Sequence, residues 1–267
     1  MKLTPFVILL FLLQTSIACA LDFDKNLKFF NKKCDSENKG GQLILIDNTQ
    51  PLSKSQKQFV KDNFIKNLLW DNIGDRITIA SLYNEPVALM QMYSICAPKH
   101  KSQITMFDPG AKIRGLNKMF INTLLEAFKR ITDKSEVANS TLLMEAITEV
   151  YRSARYNFKD KGKRQLILVS DLYQHSQYMN FYNECHKPVH NKPRKCPSVN
   201  EMITANEPFK NYLEVAKPKL NNKDHIKIFY LNVSNRVDRS AEGWWKEYFK
   251  LSGLNLAQIE IIPELQN

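Results

Sequence analysis

Glycine is scarce in this chain, 8 residues in 267, and nowhere do glycines gather into the loop that cradles a phosphate between a strand and a helix. No serine or cysteine occupies a nucleophile elbow, which leaves nucleophilic catalysis without its central residue. Acidic residues are outnumbered, 27 Asp and Glu against 38 Lys and Arg, yet no RNA- or DNA-binding motif accompanies the formal charge of +11. The lysines are spread along the chain, with one local cluster at Lys187, Lys192, Arg194 and Lys195. That pattern fits solubility and a weak attraction to anionic surfaces rather than specific nucleic-acid recognition. Internal repeats and low-complexity tracts are lacking, and after residue 20 no apolar run is long enough to span a bilayer.

Residues 1–20 have the form of a signal peptide: Lys2, an apolar stretch from Phe6 to Leu13, then Ala18-Cys19-Ala20 before a cleavage point after Ala20. The expected product is an exported protein, periplasmic or secreted. A rival reading makes Cys19 the lipid-carrying residue of a lipoprotein, but Ser16 stands where leucine is usual. Removing Cys19 leaves four cysteines, an even number that suits an oxidising compartment. Three pairings are open. Cys185 and Cys196 flank one Pro-rich loop, and pairing them leaves Cys34 with Cys96. Zinc held by Cys185, His186, His190 and Cys196 is the alternative, although the spacing matches no standard site.

The informative stretch is Gln42 to Ser53. Its apolar run Leu43 to Ile46 is too short for a helix and does not alternate, so it reads as a strand covered on both faces. The run stops at Asp47, and Ser53 with Gln56 forms a capping box that opens a helix through Val60, Phe64 and Leu68. Before it, residues 21–41 form a polar lead-in with room for a short helix. After it come a strand from Arg76 to Tyr83, an antiparallel strand from Val87 to Ile95, and a loop from Ala97 to Gly115. An amphipathic helix from Leu116 to Ile131 follows, then a helix capped by Asn139-Ser140-Thr141. Gln165 to Ser170 is a second all-apolar strand, again ending on an acid, Asp171. Beyond an aromatic and basic insert lie helices at Ser198–Ile203 and Glu207–Lys217, a strand at Ile226–Val233, a helix at Glu242–Leu251 closed by Gly253, and a strand at Leu256–Ile262. One α/β domain follows, a three-layer Rossmann-like sandwich over residues 42–267. Its sheet has about six mostly parallel strands with one antiparallel edge, and residues 185–196 form a Cys-bracketed insert.

In the common doubly wound order the strands ending at Asp47 and Asp171 are neighbours, and ligands bind where the order reverses. Adjacent strands lie about 4.8 Å apart, so two carboxylates there strain each other unless a proton or a cation intervenes. A divalent cation resolves this most simply. Thr49, with Thr141 or Ser140, adds hydroxyl oxygens, and such hard donors suit Mg²⁺. Each acid can also simply cap its own turn, Thr141 can serve as a helix cap, and His175 is expected to be a solvated loop residue.

These residues carry a resemblance. The layout resembles the von Willebrand factor A domain, whose metal-ion-dependent adhesion site takes Asp-x-Ser-x-Ser after the first strand, a later Thr, and an Asp after the fourth strand. The matching places hold Asp47-Asn48-Thr49-Gln50-Pro51, Thr141 and Ser170-Asp171, over roughly Gln42 to Ile262. More narrowly, the chain is similar to exported bacterial proteins with a degenerate form of this domain. The shared motifs are Asp47 to Leu52, Met144 to Ile147, Ser170-Asp171 and Trp245 to Phe249. Pro51 departs from the site by removing one ligand oxygen, and Ser53 is better explained as a helix cap than as its substitute. The resemblance implies an extracytoplasmic protein-interaction module rather than an enzyme. Asp47, Thr49, Ser140, Thr141 and Asp171 would bind the ligand, with Asp47, Thr49, Thr141 and Asp171 around Mg²⁺. The competing expectation is a metal-dependent phosphoester hydrolase of the envelope, which lacks the further acids, nucleophile and base that such enzymes gather.

Overall fold

A computed structural model describes residues 22–32, 40–71, 76–82, 92–98, 110–134, 138–152, 163–185, 196–231 and 240–264. The signal-peptide features, Cys19, Ala20, Cys34, His186, His190 and the 187–195 basic cluster lie outside these residues. The elements in chain order are helix α1 (22–31), β1 (Gly40–Asp47), α2 (Lys54–Asp71), β2 (Arg76–Leu82), β3 (Met92–Cys96), α3 (Gly110–Thr132), α4 (Leu143–Arg152) and β4 (Lys163–Ser170). They continue with α5 (Phe181–Glu184), α6 (Val199–Ala205), α7 (Glu207–Ala216), β5 (Asp224–Tyr230), α8 (Ser240–Leu251), a 3₁₀ turn (Leu256–Gln258) and β6 (Ile259–Pro263).

Six strands form one sheet in the order β3-β2-β1-β4-β5-β6, parallel throughout except for the antiparallel β2–β3 pair at one edge. The expected α/β sandwich is the observed one. Its two cores divide by strand alternation. Leu43 and Leu45 of β1, with Leu166 and Leu168 of β4, face the layer built from α4 to α8, whereas Ile44, Ile46, Ile167 and Val169 face α1, α2 and α3. Both faces are covered, which is why these strands read as unbroken apolar runs.

The lead-in contributes to one core. Phe23 and Phe30 of α1 are buried, Phe23 edge-on to Tyr93 with Arg130 4.0 Å above its ring, and Phe30 against Phe120 at 5.3 Å. The predicted capping box at α2 is present: Ser53 N donates to Gln56 Oε1 at 2.9 Å, and Gln56 N donates to Ser53 Oγ at 3.1 Å.

Some boundaries differ from expectation. The loop predicted through Gly115 is helical from Gly110, because the packed end of α3 (Phe120, Leu124, Phe128, Ile131) supports two exposed turns of good helix formers despite two glycines. The final strand begins at Ile259 rather than Leu256. Asn255 and Gln258 make a capping box that turns the intervening residues into 3₁₀ helix. Of the antiparallel strand expected from Val87, residues 87–91 lie outside the described set.

Cys185 and Cys196 are disulfide-bonded across a separation of 11 residues, so neither thiol is a zinc ligand. Cys96 is also disulfide-bonded. A disulfide fits the oxidising compartment expected for the chain. No helix among the described residues is long and apolar enough to cross a membrane.

The C-terminal stop of α8 offers a direct test of the fold. Gly253 has φ of 113°, its N–H bonds the Lys250 carbonyl at 3.1 Å, and the Leu254 N–H bonds the Phe249 carbonyl at 3.1 Å. A Cβ at this position would collide with the Leu220 carbonyl oxygen. Gly253→Ala is expected to lower the unfolding free energy by about 2–3 kcal/mol in urea denaturation followed by circular dichroism.

Candidate functional site

Three loops meet at the carboxyl ends of β1 and β4. Parallel pairing sets Ile46 opposite Val169, so the acid that ends β1 stands opposite Ser170, and Asp171 follows at the next position. Buried Asp47 accepts from its own turn, with Thr49 Oγ1–H at 2.6 Å and Thr49 N–H at 3.2 Å from Oδ1. Its Oδ2 accepts from the Ser170 hydroxyl at 2.7 Å. Thr49 Oγ1 in turn lies 3.2 Å from Thr141 Oγ1. Of the two hydroxyls left open by the sequence, Thr141 is therefore the one that reaches Thr49. Ser140, half-buried, sits one residue earlier.

Backbone and side-chain bonds hold the loops. Asn48 is fully buried, its N–H donating to Leu82 O at 3.1 Å and its amide nitrogen to Ile131 O at 2.8 Å. Ala138 N–H donates to Thr49 O, and Thr141 and His175 exchange both backbone bonds at 2.9 Å. The role of cap predicted for Thr141 is filled by another residue. Buried Gln174 offers Oε1 to the Met144 N–H in the first turn of α4 at 3.0 Å, while its Nε2 donates to Glu145 at 2.9 Å. His175 is half-buried, paired through its backbone and set against Tyr182 at 5.8 Å, so it is not the freely solvated histidine expected. Ser53 caps α2, as anticipated.

Beyond Ser170 the chain makes an uncommon turn. Asp171 Oδ1 accepts from the Tyr173 N–H at 2.9 Å, and Leu172 between them has φ of 65°, in the left-handed region. In the sequence Ser170 stands only as part of the Ser170-Asp171 motif, without a role of its own; in the fold its hydroxyl donates to Asp47 and accepts from the Leu172 N–H at 2.8 Å. The only available signal was its place next to Asp171. Gln174 carried none, because a glutamine that caps a helix 30 residues away leaves no local pattern.

The electrostatics follow from this geometry. Burial pushes the Asp47 carboxyl above its ordinary range, against the opposing pull of the Thr49 and Ser170 hydroxyls and the Thr49 N–H. Burial and the neighbouring Asp47 charge together push Asp171 up to about 7, with the Tyr173 N–H acting the other way. Neither acid forms an ion pair with Lys, Arg or His among the described residues. Two carboxylates and two hydroxyls are an oxygen-only donor set suited to a hard divalent cation. Among the described residues no group of three or more His, Cys, Asp and Glu side chains gathers, and Pro51 offers no donor, which limits how tightly such an ion is held.

No protein-family model matches the chain, and no curated protein matches it in sequence.

Asp171 makes stability depend on pH. Below pH 3.8 folded and unfolded chains both hold its proton, while between 3.8 and about 7 the folded chain retains it and the unfolded chain does not. Stability from this group therefore falls as pH rises through that window. In buffer containing a chelator, Asp171→Asn is expected to stabilise the fold at pH 8 by on the order of 1–2 kcal/mol, with the gain fading below about pH 4. Thermal unfolding across pH reads the difference.

Proposed function

We propose that the protein is an extracytoplasmic, von Willebrand factor A-like interaction module that takes a carboxylate from a protein partner at the carboxyl end of the sheet, through a divalent cation such as Mg²⁺. The supporting observation is the pairing of Asp47 and Asp171 at adjacent strand ends, with the Thr49 and Thr141 hydroxyls 3.2 Å apart beside them and no cationic side chain paired with either acid among the described residues. Asp47, Thr49, Thr141 and Asp171 would hold the ion, which supplies an electrophilic coordination position for the partner's oxygen. The repulsion between buried Asp47 and half-buried Asp171, which otherwise costs stability, becomes affinity for a cation.

The acids do not stand alone. Tyr173, two residues beyond Asp171, contacts Tyr182 at 5.3 Å between ring centroids, and Tyr182 also meets His175, whose backbone is paired with Thr141. Tyr182 is 45% exposed. A part-exposed tyrosine cluster beside a charged centre matches the composition of protein interfaces, where tyrosine presents a large ring at small entropic cost. Binding rather than turnover is the preferred reading, since the centre offers neither a nucleophile nor a further acid to act as base.

Isothermal titration of Mg²⁺ or Mn²⁺ into the purified protein is expected to show one weak site, abolished in Asp47→Ala. Absence of heat with the unaltered protein would remove the cation from the reading. Hydrolysis of a generic phosphoester that disappears in Asp47→Ala would instead establish the hydrolase. In affinity capture from envelope extract, Asp47→Ala and Tyr182→Ala baits are expected to lose the same partner, while Tyr182→Ala keeps its cation heat.

A further inference from the structure

Left-handed backbone is unfavourable for a leucine, whose Cβ crowds the following carbonyl, and persists only where the surroundings hold it. At Leu172 both flanking peptide groups are held. Its N–H donates to Ser170 Oγ at 2.8 Å, and its carbonyl accepts from the Trp245 indole N–H of α8, also at 2.8 Å. Leu172, Ser170 and Trp245 are all fully buried, so water cannot replace either partner. The bonds form one continuous chain from Trp245 Nε1 through Leu172 and Ser170 to Asp47 Oδ2, and from Asp47 Oδ1 to Thr49 and Thr141.

We propose that Trp245 is a positioning residue for the acid pair, its indole N–H fixing the left-handed turn at Leu172 that sets Asp171 beside Asp47. The inference rests on the cation-binding reading for its functional consequence, though not for its structural content. Without the indole donor, the Leu172 carbonyl is buried and unpaired, and relaxation to ordinary backbone angles relieves both that and the strain. The same relaxation moves the Tyr173 N–H, the donor 2.9 Å from Asp171 Oδ1, and so frees the Asp171 carboxyl to turn away from Asp47. Trp244 supplies an internal control. It is buried in the same aromatic cluster, 5.4 Å from Trp245 between ring centroids, and its Nε1 has no hydrogen-bond partner among the described residues. Replacing either tryptophan by phenylalanine removes similar packing, but only one replacement removes the bond to Leu172.

The test is to measure Mn²⁺ affinity by titration calorimetry and the Leu172 backbone carbon shifts by NMR, in the unaltered full chain and in Trp245→Phe and Trp244→Phe. Trp245→Phe is expected to weaken Mn²⁺ about tenfold and to move the Leu172 shifts out of the left-handed range, and Trp244→Phe to do neither. Unchanged Leu172 shifts in Trp245→Phe overturn the proposal, as does an equal loss of Mn²⁺ affinity in Trp244→Phe. If Trp245→Phe does not fold, benzothienylalanine at position 245, which keeps the ring shape and replaces the N–H by sulfur, is measured for the same two outcomes. If the unaltered protein gives no Mn²⁺ heat, the cation reading falls by itself, and the Leu172 shifts still decide whether Trp245 holds the turn.

Discussion

The parallel pairing of β1 with β4 is the constraint on which the rest of the molecule depends. Seven register pairs run from Gly40 opposite Lys163 to Ile46 opposite Val169, and this alignment brings Asp47 level with Ser170 and one residue from Asp171. Neither strand can shift by one residue. A slip would move Leu43 and Leu45 out of the α4–α8 core and Ile44 and Ile46 out of the α1–α3 core, exchanging two sets of differently shaped side chains at once. The hydrophobic demands of two cores thus dictate the separation of two carboxyl groups.

The opposite end of the same sheet holds a buried acid that does have a cationic partner. Asp224, fully buried at the start of β5, is met by Arg164 of β4, whose Nε and Nη2 approach its two carboxyl oxygens at 2.6 Å each. The Asn221 N–H adds a further bond to Oδ2. The guanidinium balances the charge of this carboxylate, with the Nη2–Oδ2 contact a hydrogen bond and the Nε–Oδ1 contact an ion pair. Asp47 and Asp171 receive hydroxyls and amides but no cationic side chain among the described residues; burial raises the proton affinity of Asp47, and burial with the Asp47 charge raises that of Asp171. This contrast between the two ends of the sheet is what supports the proposed cation at the carboxyl end.

The acid-bearing loops are held by groups drawn from distant elements: α3 through Asn48, α4 through Gln174, and α8 through Trp245. Side chains mounted this way on rigid elements are preorganised, so the proposed binding would leave little ordering to occur. The disulfide between Cys185 and Cys196 closes the segment that follows α5, the short helix that carries Tyr182. The aromatic rim is thereby tied to the same core as the acids.

What the chain determined by local chemistry alone was the fold and the two acids. Unbroken apolar runs at Leu43–Ile46 and Leu166–Val169 call for a sheet covered on both faces, and an abrupt acid after each run marks its carboxyl end. The Ser53–Gln56 capping box and the Gly253 helix stop were likewise legible because their partners lie within a few residues. Three matters waited for tertiary structure: that Thr141 rather than Ser140 reaches Thr49, that Gln174 caps α4, and that Leu172 is held left-handed by an indole 73 residues away. Each is a bond between residues far apart in the chain. Local patterning encodes periodicity and turn chemistry, whereas the meeting of distant side chains follows only once both cores have closed.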